Sequence, residues 1–236
     1  DYILRNDSKF KIVFVVFYTA IIYHIAQIIK AKDLDLPRHI AFTGNGSKII
    51  NVISTDSKHI SLLTKYILES VTNKKFGVQP LDILGLDRDA NPKEVTCKGG
   101  LLNTEQDLCL PQKIVLKDSF GTMVCEKDTY GMLTDKEQQN ILESVNSFFN
   151  FTLNKMPSDV KLSDYMNIDD DSLDIARQVC KEDLKTYLEK GIKLSVEESG
   201  DEKNVIEAAL SFYPIKGFIQ ALSSRLQEHY NQNNRL

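Results

Sequence analysis

The sequence predicts an α/β fold over residues 1–103, followed by a mostly helical α+β domain with one short β-hairpin over residues 104–236. Three observations predict it. An uncharged apolar run, IVFVVFYTAIIYHIAQII at residues 12–29, precedes a short apolar strand beginning at His39. That strand runs into Gly44, Asn45, Gly46 and Ser47 and then into a second apolar run, the pattern of a strand-to-helix hinge. Beyond residue 110 the apolar residues recur mainly at helical spacing.

Residues 12–29 come close to the length that crosses a bilayer. His24 and Gln27 interrupt the run, Lys9, Lys11, Lys30 and Lys32 flank it evenly, and no secretory cleavage pattern follows. A core helix buried on nearly all sides is the expectation. His24 has no acid or nucleophile at a spacing that would orient it, so it reads as a core histidine rather than a proton carrier. After the hinge, Ile49–Ile53 and Ile60–Val71 show helical spacing, with Leu62, Leu63, Tyr66, Ile67 and Val71 on one face of the second. The turn-like segment NKKFG leads to a strand at Leu81–Leu86, bounded by Pro80 and the DRDANP turn. Asn91 then reads as an N-cap and Pro92 as the first residue of a helix opening NPKEVTCKGGLL. The expected order is helix, strand, hinge, helices, strand, helix.

Composition narrows the function. The chain has 236 residues, 42% hydrophobic and 26% charged, ordinary for a globular protein able to bury a real core. A net charge of −4 without any basic block argues against nucleic acid and against an anionic membrane surface as partners. The four cysteines, Cys97, Cys109, Cys125 and Cys180, include no C-x-x-C pair, so neither a zinc site nor a redox motif is signalled. Reduced thiols in a cytoplasmic protein are expected. The first residue is Asp1 rather than Met, which leads to the expectation of a piece of something longer.

The hinge is the one candidate binding feature. A strand that ends in glycines and opens a helix leaves backbone N–H groups unsatisfied at the positive end of a helix dipole, an arrangement that suits phosphate. The plainer alternative is a turn in which glycine and asparagine supply positive φ. A P-loop is excluded because the order is Gly46-Ser47-Lys48, and a dinucleotide fingerprint because Ile49 stands where its third glycine belongs.

The pairing of FTGNGSKII with NPKEVTCKGGLL resembles the closing part of the actin, heat-shock-chaperone and sugar-kinase ATPase superfamily, across about residues 8–103. The resemblance implies part of an actin-like ATPase (ribonuclease H-like) subdomain. It implies that the backbone of Gly44, Asn45 and Gly46 passes close to the adenosine and α-phosphate of a nucleotide, with Ser47 at the helix start beside the base. Lys48 would lie over the adenine or project into solvent. Asn45 departs from the family's central glycine, and Gly100 replaces its usual alanine.

The two further glycine-rich loops with aspartate-bearing hairpins, which grip the outer phosphates and Mg²⁺ in that superfamily, are missing from these residues. Without them the charge that develops in phosphoryl transfer goes unneutralised. The chain alone is therefore expected not to be an active ATPase. On the resemblance, ATP and Mg²⁺ belong to a full-length parent whose upstream part is the first expected partner. No catalytic residue and no metal ligand is assigned. The alternative is a non-enzymatic interaction or scaffold protein with a degenerate nucleotide site.

The second half carries no catalytic spacing. KIVLKDS and GTMVCEKD, at 113–119 and 121–128, read as a hairpin. Thr134 with Glu137 forms a capping box for a helix with Ile141, Leu142, Val145, Phe148, Phe149 and Leu153 on one face, expected to stop before Pro157. Asp169, Asp170 and Asp171, with Asp174 nearby, lack the spacing of a calcium loop and read as the capped start of a helix. Its stripe is Leu173, Ala176, Cys180, Leu184, Tyr187 and Leu188, with a stop at Gly191. A polar loop at 195–204 and a helix pair, or a helix broken at Pro214, complete the chain. Such a helical module suits contacts with a protein partner.

Overall fold

The computed structural model describes residues 7–42, 48–77, 81–84, 135–199 and 211–233. Helix α1, Ser8–Ala31, contains the apolar run. It starts where Asp7 accepts a hydrogen bond from the Lys9 N–H at 2.9 Å, satisfying one of the donors that a helix start leaves open. Ile12, Val15, Val16, Ala20, Ile22 and Ala26 are fully or almost fully buried, so the helix serves as the central post of the fold. It is also the one helix among the described residues long and apolar enough to cross a membrane, and 56% of that window lies buried inside the protein.

Strand β1 (His39–Ala41), helix α2 (Ile50–Ile53), helix α3 (Ser57–Thr72) and strand β2 (Asp82–Leu84) follow. β1 and β2 are parallel, with His39 opposite Asp82, Ile40 opposite Ile83 and Ala41 opposite Leu84. The crossover is α2 and α3, as parallel pairing requires. Asp56 caps α3 through the Lys58 N–H at 2.8 Å, and Asn73 ends it in the left-handed conformation. α1 and α3 are tied by a buried relay. Thr64 uses its single hydroxyl proton on the Ile60 carbonyl at 2.6 Å, so Tyr18 donates to Thr64 at 2.5 Å.

The remaining described chain is helical: α4 (Asp135–Asn150), a π-helical turn (Phe151–Lys155), α5 (Met156–Val160), α6 (Leu162–Met166), α7 (Asp170–Cys180), α8 (Leu184–Ser199) and α9 (Phe212–Asn233). Phe148 and Phe149 of α4 pack on Tyr23 of α1 and Phe218 of α9, and Phe218 also meets Tyr187 of α8 edge-on. Lys11 of α1 is 8% exposed. It donates to the Met166 carbonyl at 3.0 Å, which caps the end of α6, and burial holds its pKa below the ordinary lysine value. These contacts join both halves of the described chain into one hydrophobic core.

The α/β expectation is overturned. Among the described residues the structure is 79% helical with two short parallel strands, so it is mainly helical and not an actin-like (ribonuclease H-like) α/β subdomain. A parallel sheet needs several near-continuous apolar runs, covered on both faces. Among the described residues such runs shrink to three paired residues per strand. The helix–strand–helices–strand order up to β2 is nevertheless the expected one. The expected helix at Asn91, the hairpin at 113–128 and the Thr134 end of the capping box lie outside the described residues.

Several local expectations in the second half also change: α8 runs to Ser199, through the first part of the loop expected at 195–204. Pro157 does not stop the helix that begins at Asp135; the π-helical turn carries the chain through it into α5. The stripe beginning at Leu173 belongs to two helices, separated by Lys181–Asp183. Gly191 lies inside α8, where a Cβ would overlap the backbone carbonyl of Tyr213, and Gly217 of α9 faces the Tyr187 carbonyl in the same way. The two glycines let the backbones of α8 and α9 come together. Pro214 falls in the first turn of α9, where no intrahelical donor is lost.

Candidate functional site

The segment singled out for a nucleotide follows β1 in the chain, and of it only Lys48 is among the described residues. Backbone bonds frame the β1–β2 corner: Asp82 N–H to the Arg38 carbonyl and Phe42 N–H to the Leu84 carbonyl, both 3.0 Å. Ser61 of α3 donates to the Leu81 carbonyl at 2.6 Å, holding β2 against the helix. Ile40 and Ile83 turn inward on the core, and Phe42 meets Tyr18 at 5.9 Å between ring centroids. The outward residues His39, Ala41, Asp82 and Leu84 are exposed. His39 and Asp82 pair across the strands, Nδ1 to Oδ2 at 3.2 Å.

Of the predicted site residues, Gly44, Asn45, Gly46 and Ser47 lie outside the described residues. Lys48 is exposed, in a single 3₁₀ turn that leads into α2. α2 has four residues. So short a helix aligns few peptide dipoles, and anion binding at this turn would rest on backbone N–H groups rather than on a macrodipole.

A Ser-Asp-His grouping that the sequence reading did not single out stands just beyond. Ser54 Oγ lies 3.1 Å from His59 Nδ1, and His59 Nε2 lies 3.9 Å from Asp56 Oδ2. The order imitates a nucleophile, a base and an acid, but the last distance is beyond hydrogen-bond reach. Ser54 Oγ also accepts the Asp56 N–H at 3.1 Å, while Asp56 caps α3. The three side chains build a helix start. Among the described residues no group of histidine, cysteine and carboxylate side chains is arranged to hold a metal. His24 packs its ring edge-on against Phe212, 5.6 Å away, the core placement expected of it.

In the acidic cluster Asp169 caps α7 by accepting the Ser172 N–H at 2.7 Å, with Asp170 and Asp171 in the first turn. The capping reading holds there. Comparison with protein-family models, with curated proteins and with solved structures returns no match.

Proposed function

We propose that this chain supplies one side of a nucleotide site and is not catalytic alone. In this reading the turn at Gly44–Ser47 meets the sugar and α-phosphate, and polypeptide beyond the described residues supplies the remaining walls. The observation that carries the proposal is the β1–β2 pair. What supports it is that, in a parallel pair joined by a helical crossover, the chain leaves the first strand at the carboxyl edge, where ligands sit in parallel α/β arrangements. The same pair is unfinished among the described residues. Each strand pairs only with the other, and the outward face is exposed, whereas parallel strands are normally covered on both faces. Phosphate-gripping loops from an upstream part of a parent protein would complete the site.

Calorimetric titration with ATP and Mg²⁺ tests this. The chain alone is expected to bind no more tightly than about 1 mM, since a few amides fall short of the roughly 4 kcal/mol that such affinity needs. A longer chain carrying upstream residues should bind far more tightly and lose that affinity on Gly46→Val. Micromolar binding by the short chain, or a longer chain indifferent to Gly46→Val, overturns the reading. The competing function, a non-enzymatic scaffold, is favoured by the exposed Leu84 on the outward sheet face, 50% exposed. It predicts partner binding unaffected by nucleotide.

A further inference from the structure

We draw no further inference here: the strongest candidate, the concavity of about 480 Å³ between the start of α1 and the end of α9, lined by Val13, Leu226 and Tyr230 with Lys9 over the Tyr230 ring, carries nothing because nothing in the structure shows what covers it.

Discussion

The corner formed by β1, α2, α3 and β2 and the helices from Asp135 onward share one core, yet they meet their backbone requirements differently. In the helical region the ladder is satisfied from within, and even its interruptions are repaired. Pro157 brings no N–H to the ladder beside the π-helical turn, and there Arg177 of α7 donates to the Leu153 carbonyl at 3.0 Å. The strand corner has no such closure among the described residues: three paired residues per strand leave one edge of each without a described partner. A region finished by its own contacts is built to be stable alone, whereas an unfinished one is built to be completed.

Matched substitutions can break or sharpen that contrast. The largest expected effect is Phe148→Ala, which empties a fully buried ring site between Tyr23 and Phe149 and should cost about 3–5 kcal/mol in urea denaturation. Ile83→Ala on the half-covered strand should cost only about 1–2 kcal/mol. Equal losses would mean that the corner is as tightly integrated as the bundle. Next, Gly217→Ala pushes a methyl group against the Tyr187 carbonyl and should lose about 3 kcal/mol, because backbone cannot swing aside. Gly77→Ala, near the strand corner with nothing within 4 Å, should stay within about 0.5 kcal/mol. A neutral Gly217→Ala would show that α8 and α9 can separate.

The smallest effect is chemical. Burial pushes the Cys180 thiol from 9.0 up to about 11. The folded state therefore holds this proton where the unfolded chain releases it. The stabilisation is complete below the ordinary thiol value and is lost as pH rises through about 11. At pH 8 its thiolate fraction should be about 100-fold below that of the unfolded chain. Site-resolved mass spectrometry after iodoacetamide treatment should show alkylation slowed to a similar degree, recovering in urea. Fast labelling of the folded chain would show Cys180 to be far more open than its half-buried position allows.

What the sequence disclosed depended on how local the cause was. The run at 12–29 announced α1 because so long an uncharged apolar run suits a helix, though just over half of it, 56%, is buried rather than nearly all sides. Asp169 announced α7 because a cap acts within one turn. Elements whose cause lies far along the chain stayed hidden. Gly191 read as a stop, since nothing nearby shows that Tyr213 passes against it. Pro157 read as a stop because Arg177, which donates beside it, is twenty residues away in sequence. The corner at Lys181–Asp183 was masked by Cys180, Leu184 and Leu188, which keep a four-residue spacing across it. The signal was Asp183, whose carboxylate accepts the Lys185 N–H at 3.0 Å as a helix start requires. At the strands, apolar character suggested a larger sheet than three paired residues provide. Of the hinge site only Lys48 lies among the described residues.

The π-helical turn at Phe151–Lys155 acts as an angular adjustment between two stretches of helix. A π-helical turn holds one more residue per hydrogen-bonded loop than an α-helical one. Deleting a single residue there would restore an ordinary ladder and turn everything downstream by about 100°. Met156, whose sulfur lies 3.8 Å from the Thr19 hydroxyl of α1, and Asp159, which accepts from Tyr66 of α3, would both swing off their partners. Chain length in this one turn therefore acts as a setting in its own right, and homologous chains that keep it should tolerate changes of residue there more readily than changes of number.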